Sequence, residues 1–576
     1  MLHGTRTLQM IGSLAAQGVL LMSMIRTPIT LNDPAIQIDH TKIDSNSLQD
    51  VLQYISGAWD TLTRSTDQCQ SLEDTKTDSE AIVYLPAGMP VPEALSKLQH
   101  SCRVRIEHLP NRITKAGDFD ANTIPGEGLL YLENPYVVPG GQFNEMYGWD
   151  SYFIILGLIR DHRLELAKGM VENFFFEIEH YGGVLNANRT YYLTRSQPPF
   201  LTSMILAVYE AEKAEGKTDL TWLEKAYPFA ERDYEEWNEK PHLAGDTGLS
   251  RYFDHGDGPV PEILGDPSQY YRGAAYFFLA HEHTNKSYLV RVGEHESHAP
   301  IPEPHFPVLS CDAKADEAET GECAPAYWVG LSSDFYKGDR SLRESGFDIT
   351  FRFGPFGAAT HHFAAVCLNS LLYKTETDLE QMSILLGRPE QGEAWKAKAA
   401  ERQERMNKYF WDSHEGMFFD YNFVVEKRSQ YVYATTFYPL WAGLASKEQA
   451  KAIVNNLGLF EQSGGLAMSR TDSQAQWDFP YGWAPIQLMA VEGLRRYGFD
   501  AEAKRISDNF LSMVVDNFKR EHTIREKYNV VTRSSETHVV AGYAQNFTGF
   551  GWTNGVFIEL LHETLETGAP SSHSQK

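Results

Sequence analysis

SKEQAKAIVNNLG, residues 446–458, holds the signals of a whole helix. Ser446 and Gln449 have the spacing of a capping box, in which the serine accepts from the third helical amide and the glutamine reaches back to the serine's own N–H. Ala450, Ile453, Val454 and Leu457 follow at helical spacing, and Gly458 stops the segment. Working outward, Ala503, Ile506, Phe510 and Met513 repeat the pattern. Further helices are predicted over Ser151–Glu179, Leu201–Glu215, Thr360–Leu385, Pro389–Phe410 and Pro485–Gly498. Paired helices without a short fixed repeat predict an all-α toroid of helical hairpins rather than a solenoid.

A chain of 576 residues has room for a deep site inside such a toroid. The dense helical region spans 106–566, with an N-terminal arm and extension over 27–105 that carries a short helix near Leu48–Trp59, and a polar tail at 567–576. Acidic residues outnumber basic ones, 77 to 51, and the formal charge of -26 repels nucleic acid and anionic membranes. The apolar run Leu8–Ile25 is interrupted by Gln9, Gly12, Ser13 and Gln17, which argues against a transmembrane helix. With Arg6 before it, residues 1–26 read as a candidate signal peptide without a clear cleavage site. Cys69 with Cys102 and Cys311 with Cys323 read as two disulfides beside an unpaired Cys367, favouring a periplasmic or secreted protein; five reduced thiols in the cytoplasm are the alternative.

The loops between the helices have an unusual composition. They read PGGQFNEMYGWDSYF at 139–153, LNANRTYYLTRSQPPF at 185–200, RESGFDITFRFGPFG at 343–357, QWDFPYGWAP at 476–485, REKYNVV at 525–531 and GFGWTNG at 549–555. Trp and Tyr beside Asp, Glu, Asn, Gln and Arg suit a carbohydrate, which offers apolar C–H faces to aromatic rings and hydroxyls to polar groups. Glycoside hydrolysis needs one protonated carboxyl and one ionised carboxylate. Asp348, among Gly346, Phe347, Phe351 and Phe353, has the apolar setting of a general acid; Glu526, between Arg525 and Lys527, has the charged setting of a general base. His361-His362 and His281-Glu282-His283 lack a third ligand at diagnostic spacing, so no metal site is expected. The sequons at Asn188, Asn285 and Asn546 are short enough to arise by chance, and neither a phosphate-binding loop nor a G-x-S-x-G elbow is present.

PGGQFNEMYGWDSY and QWDFPYGWAP, together with NANRTYYLTRSQPPF, SGFD, EKYN and GFGWTNG in the same order, resemble the trehalase family of inverting glycoside hydrolases. The resemblance implies an (α/α)6 barrel, no cofactor, and hydrolysis of a small neutral disaccharide, α,α-trehalose, to two glucose molecules. It puts the general acid at Asp348 and the general base at Glu526. Substrate contacts fall on Gln142, Phe143, Tyr147, Trp149, Asp150, Asn186, Arg195, Gln197 and Glu262, with Gly346 letting the sugar approach the backbone and Gln476, Trp477, Asp478 and Trp483 shaping the wall. The chain departs from the family pattern at Gln142 and Val260, where arginine is usual, and in RSSETHVVAGYAQNFT, where Glu536 or Tyr543 stands in for a substrate-binding glutamate. These departures keep two alternatives open: a related (α/α)6 hydrolase of another small α-glucoside, and a sugar-binding pseudoenzyme.

Overall fold

The capping box at Ser446 forms as the sequence predicts: the Gln449 amide donates to Ser446 Oγ at 3.2 Å and the Ser446 amide to Gln449 Oε1 at 2.8 Å. In this computed structural model the described residues are 43, 45–72, 80–99, 101–119, 123–262, 267–282, 286–292, 304–309, 325–543 and 545–567. The candidate signal peptide, Cys311, Cys323, His283, Asn285 and all but the first residue of the 567–576 tail lie outside them.

The helices that build the domain are α1 (Ser45–Leu62), α2 (Gly148–Arg160), α3 (Leu164–His180), α4 (Leu201–Ala214), α5 (Leu220–Trp237), α6 (Pro267–Ala280), α7 (Ser333–Glu344), α8 (Val366–Leu385) and α9 (Pro389–Tyr409). They continue with α10 (Tyr438–Trp441), α11 (Lys447–Asn455), α12 (Ala484–Arg496), α13 (Asp500–Glu521) and α14 (Gly551–Thr567). Contacts run α2 to α4, α4 to α8, α8 to α10, α10 to α12, α12 to α14, and α14 back to α2, so six inner helices close a ring. Behind them stand α3, α5, α9, α11 and α13, and α1 packs on both α13 and α14. The architecture is the (α/α)6 barrel.

Inner and outer helices differ as their sequences require. Along α2 nearly every residue from Gly148 to Leu158 is buried, and so are Ala484–Val491 of α12, because an inner helix meets protein on all sides. The outer α13 buries one stripe, including Ala503, Ile506, Phe510 and Met513. The expected helix in the N-terminal arm is α1, which buries Leu48, Val51, Ile55, Trp59 and Leu62. Gly157 and Gly555 allow the closing pair to meet at close range, since a Cβ on Gly157 would lie 2.5 Å from the Gly555 Cα.

Short strands fasten the loops. Tyr481–Trp483 pairs antiparallel with Lys527–Asn529, setting Trp483 opposite Lys527. Ala81–Leu85 lies between Val104–His108 and Leu129–Leu130 in a parallel sheet outside the ring. Cys69 and Cys102 form a disulfide, while Cys367 is free and buried. No helix among the described residues is long and apolar enough to cross a membrane.

Candidate active site

Each aromatic-rich loop leads into the N-terminal end of an inner helix, so the loops converge at one mouth of the ring: 139–147 before α2, 185–200 before α4, 345–365 before α8, 476–483 before α12 and 524–550 before α14. Backbone bonds tie neighbouring loops together. The Gly148 amide donates to the Asn186 carbonyl at 3.1 Å, and the Trp477 amide donates to the Ile349 carbonyl at 3.1 Å. The Glu526 amide donates to the Phe547 carbonyl, also at 3.1 Å.

Trp149, Trp477, Trp483 and Trp552 form one buried cluster beneath this mouth. Trp477 and Trp483 stack with ring centroids 3.8 Å apart, and Trp552 stands edge-on to Trp149 at 5.5 Å. The indole N–H groups of Trp483 and Trp552 donate to the carbonyls of Gln476 at 2.9 Å and Glu526 at 3.3 Å. The cluster therefore positions backbone on both sides of the site. Phe143 packs edge-on between Tyr147 and Phe547, with Gln142 half-buried beside it.

Asp348 enters from the loop after α7, and its side chain keeps 18% of its surface accessible. Oδ2 accepts from Arg343 Nη1 at 3.3 Å and from the Tyr543 hydroxyl, which makes a shorter contact, while Gln476 Nε2 donates to the Asp348 carbonyl. Burial pushes the Asp348 carboxyl above the usual range, although Arg343 and Tyr543 oppose the rise. Asp478 steadies this segment from behind: it accepts from the Thr350 hydroxyl at 2.8 Å, the Phe351 amide at 2.9 Å and the Ser473 hydroxyl. Glu526 is more deeply buried, and Lys527 Nζ donates to its Oε2 at 2.8 Å. Burial raises its pKa as well, against the pull of Lys527. The second cation expected beside Glu526 is absent, because Arg525 turns away to Glu521 at 2.6 Å.

Asp150 on the first turn of α2 completes a carboxylate trio. Burial holds its pKa well above normal, reinforced by the negative charges of Glu526 and Asp348. On another side, Arg195 Nη2 donates to Glu262 Oε1 and Arg195 Nη1 stands 3.6 Å from Asp254 Oδ2. Burial alone would raise the Glu262 pKa, but Arg195 and Arg343 outweigh it and hold the carboxyl below its usual value. Arg195 Nε, Glu262 Oε2 and Gln476 Oε1 are buried without a hydrogen-bond partner among the described residues, a pattern expected where a polar ligand binds.

Other predicted residues are occupied with the protein itself. Gln197 Oε1 accepts from the Trp149 amide at 2.9 Å, capping α2, and Asn186 Nδ2 donates to the carbonyls of Ser196 at 3.3 Å and Arg343 at 3.4 Å. Gly346 has φ +74°, and a Cβ there would lie 2.8 Å from the Trp149 indole, so the space in front of it belongs to that ring. Of the two stand-ins for the missing glutamate, Glu536 is exposed and Tyr543 reaches Asp348. Arg343 also joins the site; its position five residues before Asp348, at the end of a helix, is the sequence signal that points to it. Neither Arg251 nor Arg272 replaces the arginine missing at Val260: Arg251 bonds to the carbonyls of Pro241 and His361, Arg272 lies over Phe306, and buried Val260 offers its amide to the Tyr271 hydroxyl at 2.8 Å. Asn188 of the first sequon is fully buried, with its side chain bonded to Met146 and Leu130.

A family model described as Trehalase matches residues 30–564. The chain is 35% identical to the cytosolic neutral trehalase of Saccharomyces cerevisiae over 581 residues, covering 91% of this chain and 73% of that protein. It is also 35% identical to a probable trehalase of Eremothecium gossypii, covering 90% and 73%. A solved structure of the neutral trehalase from Saccharomyces cerevisiae superposes with a TM-score of 0.71 at 32% identity, over 91% of this chain and 97% of that one. These relatives overturn the expectation of a periplasmic or secreted protein with a signal peptide, since those from Saccharomyces cerevisiae, Kluyveromyces lactis and Neurospora crassa are named cytosolic. The Leu8–Ile25 run lacks a cleavage pattern, and one cysteine pair does not by itself define a compartment. From the family match over most of its length and the shared fold, the chain belongs to the trehalase family.

Proposed function

We propose that this protein hydrolyses α,α-trehalose to two glucose molecules with inversion, Asp348 acting as general acid and Glu526 as general base. The observation that carries the assignment is the different donor environment of two carboxylates that sense each other's charge, the half-buried Asp348 and the buried Glu526. Asp348 receives both donors on Oδ2, which leaves Oδ1 to carry the proton for the glycosidic oxygen. Glu526 is held by a lysine that favours its ionised form, as removal of a proton from the attacking water requires. Asp150, whose pKa is raised by burial and by its two acidic neighbours, and the unpartnered atoms of Arg195, Glu262 and Gln476 meet the sugar hydroxyls. Hydrolysis of another α-glucoside is the second reading, motivated by Gln142, Val260 and Tyr543. Incubation with trehalose, sucrose, maltose and glucosylglycerate, followed by glucose release, separates the two: the proposal expects the highest kcat/KM on trehalose and fails if another glucoside is preferred.

Tyr543 gives this reading a measurable pH signature. Its phenol stays protonated, because burial and the Asp348 charge hold its pKa well above normal, so it is the donor to Asp348. That bond strengthens as the acid loses its proton in the transition state; a hydrogen bond to a charged group is worth about 1.5–3 kcal/mol, or roughly 10–150-fold in rate. Tyr543→Phe is therefore expected to lower kcat by roughly that factor. Losing the donor also raises the Asp348 pKa, so the alkaline limb of the kcat/KM profile, where the acid ionises, moves to higher pH. An unmoved limb in a folded variant contradicts the assignment of Asp348 as the acid.

A further inference from the structure

The histidine pair that lacks a third ligand in the sequence acquires one in the fold. His361 and His362 occupy a tight turn, Thr360–His362, and Asp334 sits on the first turn of α7. His361 Nε2 lies 2.9 Å from Asp334 Oδ1, and His362 Nε2 lies 3.5 Å from the same oxygen. All three ligand atoms fall within 4.8 Å of one another. A tetrahedral ion with bonds of about 2.0–2.1 Å separates its ligand atoms by about 3.3 Å, a value bracketed by the two measured edges.

We propose that Asp334 Oδ1, His361 Nε2 and His362 Nε2 form a three-ligand binding site for a zinc-class divalent ion. Two imidazole nitrogens and one carboxylate oxygen suit zinc and its transition-metal neighbours rather than magnesium or calcium, which prefer an all-oxygen shell. The scaffold is set in advance. Arg251 Nη1 donates to the His361 carbonyl at 2.8 Å, and the Phe423 amide donates to the His362 carbonyl at 3.1 Å. Phe363–Ala364, next in sequence, pairs with Tyr421–Asn422. Asp334 keeps 38% of its side chain accessible and His362 26%, which gives an ion an entry path and leaves a fourth position for water.

The location gives the site a consequence. α7 begins at Asp334's end and runs out at Glu344, directly before the loop that carries Asp348; His361 and His362 close the same loop. An ion held by these residues ties both ends of the α7–loop segment together and limits its fluctuation. The site needs neither the substrate nor the catalytic assignment, so its test is independent of both.

The test uses the full-length protein, stripped with a chelator and titrated with Zn2+ against a chromophoric zinc indicator at neutral pH, with Co2+ added to a second sample. The site predicts one Zn2+ per chain, at least tenfold weaker binding in both Asp334→Asn and His362→Gln, and a tetrahedral Co2+ visible spectrum in the wild type. Excess Mg2+ or Ca2+ should not displace the zinc. Absence of stoichiometric binding to the wild type, an octahedral Co2+ spectrum, or undiminished binding in both folded variants overturns the proposal. If either variant fails to fold, the wild-type stoichiometry and Co2+ spectrum still decide it.

Discussion

Asp348→Asn and Glu526→Gln are each expected to lower kcat on trehalose by about 10²–10⁴-fold, the contribution of a positioned acid or base. Asparagine keeps an oxygen to accept from Tyr543 and Arg343, so the loop around residue 348 retains its anchor while the transferable proton is lost. Glutamine at 526 keeps an acceptor for Lys527 but cannot take a proton from water, and it leaves that fully buried ammonium without its paired charge. Circular dichroism and thermal melting must therefore accompany the kinetics of Glu526→Gln. Because both losses act on the transition state, KM should change far less than kcat. Near-normal turnover in a folded Glu526→Gln variant would move the base to another carboxylate. Asp150 is then the next candidate, because it senses both Glu526 and Asp348, whereas Glu536 is on the surface.

The other large effect is expected at Arg195, whose side chain is 1% exposed and faces two carboxylates, Glu262 and Asp254. Removing one member of a buried ion pair typically costs about 3–5 kcal/mol, since the partner charges stay buried without compensation. Arg195→Met should lose roughly that much stability in urea unfolding and most of its kcat/KM. Arg195→Lys keeps a charge but not the planar fork, so it should recover part of the stability and less of the activity. The sign of the pH dependence is fixed by Glu262, whose folded pKa is depressed below its ordinary value of 4.5. Its contribution is fully present above that value and fades as pH falls through the folded pKa. The gap between wild type and Arg195→Met should consequently narrow in acid. A gap that stays equal when the pH is taken well below 4.5 would show that the ion pair is not its source.

The helices were legible in the sequence where local physics decides them. The capping box at Ser446 and the buried stripe of α13 need only neighbours within a few residues. That the helices form a toroid was legible, but which faces close it was not, because α14 packs back on α2 and so joins distant parts of the chain, with no local signal of which faces meet. The site divides in the same way. The loops that hold Asp348 and Glu526 stand out by composition, and the carbonyls that Trp483 and Trp552 grip are the fold's to reveal. For Glu526 the adjacent basic residues suggested an ionised group; sequence adjacency does not encode burial or side-chain direction, and Arg525 points to Glu521 while burial raises the pKa. Tyr543 is 195 positions from Asp348, and Asp334 is 27 positions before His361, so neither partnership has a local spacing to recognise.

The most direct test of trehalose hydrolysis by an acid and a base on opposite sides of the glycosidic bond is proton NMR of the wild-type reaction, recorded before the products mutarotate. Cleavage with inversion at one anomeric carbon converts that glucose to the β form and releases the other as α, so the first spectra should show α- and β-glucose in equal amounts. Release of α-glucose alone, or no glucose from trehalose while another α-glucoside is turned over, would contradict the account.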